Sequence, residues 1–539
     1  MEISDIIQRE RQLQTLRENL RPGQQPLGDW QEGEMAVSAV PGAGKSHSLS
    51  VAAAIAIARH QLHTRKQLVI VTYTRSAAAS IKSKIRERLR ELQLPQTGFS
   101  VQTLHGLALN IASRHQELSR LNLETASVII PTPSHRVIRT CVEQWLQANP
   151  ERYRRLLEGR EFDGEETERL RRQSSLRTDV LPSLAHIAIR EAKSSGLSPD
   201  DIWQLSQQTT DNYEILALAA GLYKQYEQLM RSRDFIDYDD MILAALRVLD
   251  NSIIRQRWQE QVFAVFEDEA QDSSPLQEKL ISLLAMGEGA INLIRVGDPN
   301  QAINSTFTPA DPVYFNWFCQ RCQTNGTLAV MEQAGRSTPI IIEAANFLLQ
   351  WVSQYWENQK SKSPLQKQTA SQNPLPFRVQ AICPVGSGDP QPNPDPEGRG
   401  LEIYLPDDIY QTVELIGKRV VALLQGNPEG NAAILVRENR QGRFLAEKLA
   451  HLLKEKGIRL YQVSEFDRFS QIPVEILQLL RFIDRPHSPD NLKGALEILQ
   501  QRELIPAQDL NALATLPEQF LYPGPLDAPQ KPEIGRAHV

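Results

Sequence analysis

The stretch Ala39-Val40-Pro41-Gly42-Ala43-Gly44-Lys45-Ser46 holds the residue types that a phosphate-gripping loop needs. Gly42 and Gly44 let backbone N–H groups curl around phosphate oxygens. Lys45 brings a point charge to the β- and γ-phosphates, and Ser46 offers a hydroxyl to Mg²⁺. A strict P-loop begins on glycine, where this chain has Ala39. The apolar run before the loop and "LSVAAAIAIA" (49–58) after it supply the strand–loop–helix setting that the motif requires.

A phosphate grip alone hydrolyses nothing. The segment "VFEDEAQDSSPLQ" (265–277) adds an apolar strand ending in Asp268 and Glu269. One carboxylate there can hold Mg²⁺ through water, and the next can orient an attacking water and accept its proton. The same acidic loop also suits helix capping by Asp272 or Ser273. A third segment, "VGDPNQAI" (296–303), offers the amide of Gln301 as a sensor of a γ-phosphate or of the attacking water.

These clusters need a scaffold, and four apolar runs predict one. "MAVSAV" (35–40), "QLVIVTYT" (67–74), "VFAVFED" (262–268) and "INLIRVGD" (291–298) read as parallel strands of a doubly wound α/β sheet. Chemistry in such sheets gathers at the carboxyl ends of the strands, where the polar clusters fall. The stretch 106–235 reads as a helical insert whose charge runs suit either a solvated face or a basic nucleic-acid groove. A second α/β pattern begins near 331 and includes "NAAILVREN" (431–439) as a strand. "PVGSGDPQPNPDPEGRG" (384–400) reads as a solvated loop or a short disordered insert, and helix returns from about 485.

Composition narrows the setting. The chain has 539 residues, 41% hydrophobic and 23% charged, with a net charge of −6. Any nucleic-acid site is therefore a local basic groove, since the whole is no polycation. The N-terminus has no signal-peptide core, and the run "VAAAIAIA" is too short to span a bilayer. Four cysteines fit a reducing compartment, and the cytoplasm is the expected location. Cys319 and Cys322 form a lone CxxC without the second pair a metal site would want, so they read as two thiols on an amphipathic helix.

Together the motifs resemble the UvrD/Rep/PcrA group of superfamily 1 helicases. "VTYTRSAAASIKSKI" (71–85) is similar to the family's TFTNKAA segment, "QTLHGLAL" (102–109) to GTFHSLAL and "IDYDDMI" (236–242) to DFDDLL. "EQAGRSTPIIIEAANFL" (332–348) resembles QNYRS followed by AN, and "AILVRENRQGRFLAEKL" (433–449) the AILVR segment. The resemblance implies a P-loop NTPase with two RecA-like motor domains carrying helical inserts. Residues 1–105 and 236–330 would form the first motor domain and 106–235 its insert. Part of the second would span 331–484, with the start of another insert at 485–532. It implies ATP and Mg²⁺ as cofactors and single-stranded DNA, or a duplex with a 3′ single-stranded tail, as partner, with no membrane. The implied activity is ATP-dependent helicase or translocase action, 3′ to 5′, in repair or replication restart.

Carried over to matching positions, the resemblance gives Gln24 to adenine and the loop 39–46 to phosphate. Ser46 and Asp268 go to Mg²⁺, and Glu269 becomes the general base. Gln301 couples γ-phosphate to the strand, and Arg336 reaches the γ-phosphate from the second motor domain. Tyr73 stands where a DNA base stacks, although an aromatic after a strand also suits plain packing. Thr103 and His105 stand where the strand is contacted.

Four positions depart from the family pattern. Gly335 replaces an adenine-stacking tyrosine, Asn304 an aromatic, Thr308 an arginine, and Glu267 an apolar strand residue. Two later family motifs, HxxKGLEF and VALTRAR, do not occur in this sequence; the second carries an arginine worth roughly 10³–10⁵ in rate. The expected alternative is thus an ATP- and DNA-binding fragment without productive hydrolysis. "EIGRAHV" (533–539) matches a translated sequencing adapter and reads as a non-native tail.

Overall fold

The computed structural model describes residues 3–121, 126–158, 166–210, 214–287, 289–302, 310–362, 377–396, 400–427, 429–461 and 471–501. Asn304, Thr308 and the 533–539 tail lie outside the described residues. The strands are β1 (Glu34–Ala39), β2 (Gln67–Thr72), β3 (Phe99–Thr103), β4 (Ser127–Val128), β5 (Phe235–Ile236), β6 (Val262–Asp268), β7 (Leu293–Gly297), β8 (Leu328–Met331), β9 (Gln333–Ala334) and β10 (Cys383–Pro384). Six of them form one parallel sheet in the order β3-β2-β6-β7-β1-β8.

The four apolar runs become the four inner strands, β2, β6, β7 and β1. Strands covered on both faces need apolar side chains at nearly every position, which is why their runs are continuous. One face is covered by the helices Lys45–Arg59 and Arg75–Glu91, with Leu49, Ile55, Ile81 and Ile85 in the core. The other carries Leu104–Arg114, Tyr238–Asp250, Pro275–Ala285 and Pro312–Thr324. Cys319 and Cys322 are buried on the last of these as free thiols, and burial pushes the Cys319 thiol up to about 12. Burial raises the Cys322 thiol as well, which disfavours the nucleophilic thiolate at both positions.

Between β3 and β6 lies a helical bundle with its own core, built on Arg136–Ala148, Leu181–Ser194 and Ile215–Ser232 around Trp145, Leu222 and Tyr226. The short parallel pair β4–β5 links its two ends. Lys193 fastens it to the sheet layer. Its Nζ donates to Asp237 Oδ2 at 2.7 Å and Asp240 Oδ1 at 2.6 Å, and Glu227 lies 3.3 Å away. Tyr226 Oη also donates to Asp237 Oδ2, at 2.8 Å. Asp237 and Asp240 form the capping box that starts helix Tyr238–Asp250.

The first compact unit runs from Met1 to Glu402, past residue 331. β8 is the edge strand beside β1, and β9 pairs in parallel with β10. Gln380 is buried against the sheet, its Oε1 accepting from Ser38 Oγ at 2.6 Å. In the second unit, from Ile403 on, helices Ile409–Gly426 and Asn439–Glu455 share Val420, Leu445, Leu449 and Leu453. Helices Gln471–Asp484 and Pro489–Gln501 pack together.

The strand expected over 431–439 is a correction. Residues 431–436 form no ladder, and helix begins at Asn439. A strand exists only through backbone pairing, and among the described residues nothing pairs with this one; Leu435 is 93% exposed. No described helix is long and apolar enough to cross a membrane.

Candidate functional site

The carboxyl edge of the sheet gathers the sequence-singled residues of the first unit. β1 ends at Ala39, still paired with Met331 of β8. Val40 N–H then donates to Met331 O at 2.9 Å, and Ala43 N–H closes the loop on Val40 O at 3.1 Å. Pro41 forms the exposed outer corner of this turn, and Ala43 is buried beneath it. Gly42 (φ 78°) and Gly44 (φ 83°) are left-handed, a conformation that disfavours residues with a Cβ. A Cβ on Gly44 would also stand 2.8 Å from Gln24 Nε2, and one on Gly42 3.0 Å from Arg336 Cβ. Lys45 and Ser46 open helix Lys45–Arg59, so the loop aims backbone N–H groups and the positive end of the helix at one point.

Gln24 is buried and braces this loop. Its Nε2 donates to Ala43 O at 2.6 Å, and its Oε1 accepts from Arg21 N–H at 3.1 Å. Arg336 comes up against the same loop at Gly42. Beside it, Gly335 explains one departure from the family pattern. A Cβ there would lie 2.4 Å from Gln391 O and 2.8 Å from an Arg21 guanidinium nitrogen. The segment around Gln391 is held by Asp389, whose carboxylate takes Arg21 bidentately at 2.7 and 3.0 Å. Asn393 Nδ2 adds bonds to Ala334 O and Ser337 O at 2.6 and 2.8 Å. An aromatic ring has no room there.

β6 delivers Asp268 and Glu269 opposite the loop. Ser46 Oγ donates to Asp268 Oδ2 at 3.4 Å, and Lys45 Nζ lies 3.4 Å from Glu269 Oε2. Glu269 is left-handed (φ 57°) without being glycine, which costs roughly 1–2 kcal/mol. Gln271 steadies it: Nε2 donates to Glu269 Oε2 at 2.9 Å, while Oε1 accepts from Asp298 N–H at 3.0 Å. The helix that follows is capped by Ser274 with Gln277, one residue beyond Ser273 and two beyond Asp272, the caps expected.

The residues present fit a divalent cation. Asp268 Oδ1 and Asp298 Oδ2 are buried with no hydrogen-bond partner. Burial, with Glu269 beside it, pushes the Asp268 carboxyl up to about 6, and burial does the same to Asp298. A cation held by Ser46 and Asp268 would relieve both the orphaned oxygen and the desolvated charge. Among the described residues no group of three or more His, Cys, Asp or Glu makes a metal cage by itself. Phosphate and water oxygens would have to complete the shell.

β7 runs into the turn Pro299–Gln301, capped by Asp298 through Asn300 N–H at 2.9 Å. The Asn300 side chain pairs with both backbone groups of Arg378, at 2.8 and 2.9 Å. Gln301 N–H closes the turn on Asp298 O at 3.0 Å.

Tyr73, Thr103 and His105 occupy the same edge at the ends of β2 and β3. Tyr73 is 42% exposed. Thr103 caps helix Leu104–Arg114, its Oγ1 accepting from Gly106 N–H at 3.1 Å. The His105 ring lies 4.8 Å from that of Tyr238, and burial lowers its pKa to about 4. A cavity of about 20 Å³, room for one water, joins Tyr73 and His105 to Glu267, Asp268, Glu269 and Ser273. Next to Thr103 an open groove of about 330 Å³ is lined by Arg75, Lys82 and Gln102. Sequence reasoning did not single these out, nor Gln271. Arg75 and Lys82 lie seven apart, two helical turns on one face, and that spacing was the available signal.

A model of the UvrD/REP helicase N-terminal domain matches residues 21–323, which hold the phosphate loop, the carboxylates and every strand of the sheet except β8. The chain is 24% identical over 495 residues to the ATP-dependent DNA helicase Rep of Escherichia coli, covering 90% of this chain and 62% of that protein. It is 25% identical over 465 residues to the ATP-dependent DNA helicase UvrD2 of Mycobacterium bovis, with 84% and 56% covered. To the ATP-dependent DNA helicase SRS2 of Saccharomyces cerevisiae it is 23% identical over 348 residues, with 64% and 27% covered. The chain thus spans less than two thirds of the length of these relatives. With the matched domain covering more than half of its residues, the chain belongs to the UvrD/Rep helicase family.

Proposed function

We propose that this chain is the motor of an ATP-dependent DNA helicase or translocase that moves 3′ to 5′ on single-stranded DNA, in repair or replication restart. The observation that carries the reading is the convergence of Lys45, Ser46, Asp268 and Glu269 on one sheet edge, with Tyr73, Thr103 and His105 on the same edge. In the reaction, Lys45 leaves Glu269 for the phosphates, and the freed carboxylate takes the proton of the attacking water. Ser46 and Asp268 would hold Mg²⁺, which when bound would supply charge to offset that developing on the phosphoryl oxygens. Gln24 meets adenine, Arg336 supplies charge at the γ-phosphate, and Gln301 reports its loss along the turn from β7. Tyr73 offers a sequence-blind stacking surface, and Arg75 and Lys82 offer charge to the strand's phosphates.

In domain terms the first motor domain comprises 1–105 and 236–330 with its insert at 106–235, and a second begins beyond 330. The cytoplasm is its place of action. The test is ATP turnover with and without single-stranded DNA, followed by strand displacement from 3′- and 5′-tailed duplexes. Strong stimulation and displacement from the 3′-tailed duplex alone support the reading. Nucleotide and strand binding without stimulated turnover would instead favour the binding-only fragment.

A further inference from the structure

Glu267 adjoins the two carboxylates above, and the proposed reaction does not use it. It sits on β6, an inner strand buried on both faces, where an apolar side chain would be ordinary. Its charge is met on the neighbouring strand. Glu267 and Arg295 are register partners across β6 and β7, and Arg295 Nε donates to Glu267 Oε2 at 2.5 Å. Both side chains are buried. Arg295 Nη1 donates to Glu278 Oε1 at 2.7 Å, and its guanidinium lies 5.2 Å from the centre of the Phe318 ring.

The other oxygen of Glu267 accepts from Ser273 Oγ at 2.5 Å. That bond spans the turn 268–272, which contains Asp268 and Glu269. Glu269 holds its left-handed backbone only while the surroundings dictate it. Gln271 ties the inside of the turn to Asp298, and Arg295 ties its base to β7, the strand leading to Gln301. For sheet stability alone, an apolar pair would serve as well as this buried ion pair, or better. An apolar pair could not accept the Ser273 hydrogen bond.

We propose that Glu267 and Arg295, acting through Ser273, are positioning residues that clamp the turn 268–272 and so keep Glu269 aimed. The kinetic consequence rests on the hydrolysis reading above; the clamp itself does not. The test compares the parent chain with the double variant E267L/R295L and with S273A and S273T. In the double variant Glu278, whose side chain is 28% exposed, can turn to water. Its thermal midpoint is expected to stay at or above the parent value. Amide exchange at Asp272 and Ser273 should speed up about tenfold or more, with β6 and β7 still protected. DNA-stimulated kcat should fall about tenfold or more with KM for ATP changed less than about threefold. S273A should reproduce part of both effects, and S273T, which keeps the hydroxyl, should return both readouts to the parent values. Parent-like exchange at Asp272 and Ser273 in the double variant overturns the clamp; if that variant does not fold, parent-like exchange in S273A does. Faster exchange in a parent-like fold, with no stimulated turnover in the parent itself, sinks the hydrolysis reading and leaves the clamp standing.

Discussion

Two lysines of the first unit are surrounded in opposite ways. Lys193, between the helical bundle and the sheet layer, is 1% exposed and faces Asp237, Asp240 and Glu227 within 3.3 Å, with the Tyr226 ring 5.4 Å away. Lys45, at the mouth of the phosphate loop, has 11% of its side chain exposed and one carboxylate within ion-pair distance, Glu269 at 3.4 Å, with Asp268 and Asp298 near enough to feel its charge. A cation surrounded by more negative charge than it needs is committed to the fold. A cation with a single long contact is available to a ligand, because exchanging that contact for phosphate costs little. The difference separates a joint from a site without reference to any motif.

The largest effect expected is at the joint. Lys193→Met leaves three carboxylates facing one another without their cation, and should destabilise the chain by about 3–5 kcal/mol in denaturant unfolding. A parent-like midpoint would break the comparison. Lys45→Ala is the counterpart at the site. It should lower DNA-stimulated ATP turnover by about 10²–10³-fold, the scale of losing one charge-stabilising donor, with an unfolding midpoint close to that of the parent. A large loss of stability would mean that Lys45 holds the fold as well.

Much of this contrast was legible in the sequence and some was not. The inner strands announced themselves because burial on both faces forces continuous apolar runs. The edge strands β3, "FSVQT", and β8, "LAVM", were missed, being short and, for β3, half polar. The run at 431–439 looked as convincing as β2 yet makes no ladder among the described residues. Hydrophobic pattern reports what a segment could bury, whereas pairing depends on partners far away in the chain. Lys45 was found because loop chemistry is local. Lys193 was not, because its partners lie 34, 44 and 47 residues on, at Glu227, Asp237 and Asp240. Arg295 was overlooked in the same way, although Glu267 had been noticed as an odd strand residue.

A smaller effect should appear as pH dependence at the joint. Asp239 lies beside Asp237 and Asp240, with Lys193 and Arg190 also facing it; burial and its two acidic neighbours push its carboxyl up to about 7. In the unfolded chain it would titrate near the ordinary value of about 4. Between those values the folded chain holds the extra proton, so this group's contribution to stability is present at low pH and lost as pH rises towards 7. The slope is at most about 1.4 kcal/mol per pH unit for one proton. Asp237 has the opposite sign: Lys193 holds it ionised below the usual carboxylate range, so its contribution is lost only as pH falls below that range. Asp239→Asn should therefore make the fall in stability between about pH 5 and 7 shallower, by up to one proton's slope, while Asp240, Asp268 and Asp298, each pushed up to about 6, still titrate there, and should leave the acid limb in place. An unchanged slope in that window would assign the titration to another group.

The smallest number is the most discriminating. A double-mutant cycle between Lys45 and Glu269, with Lys45→Met and Glu269→Gln read by denaturant unfolding, should give a coupling of about 0–1 kcal/mol. The contact is long and Glu269 is partly exposed, so Glu269 is solvated when Lys45 is removed, and Lys45 keeps the nearby charge of Asp268 when Glu269 is replaced. A weak pair is what a nucleotide site requires, since any energy stored in the resting contact is subtracted from phosphate binding. A coupling above about 2 kcal/mol would make Lys45 resemble Lys193. The loop would then be latched shut by Glu269, and phosphate would have to break a structural bond before reaching the lysine.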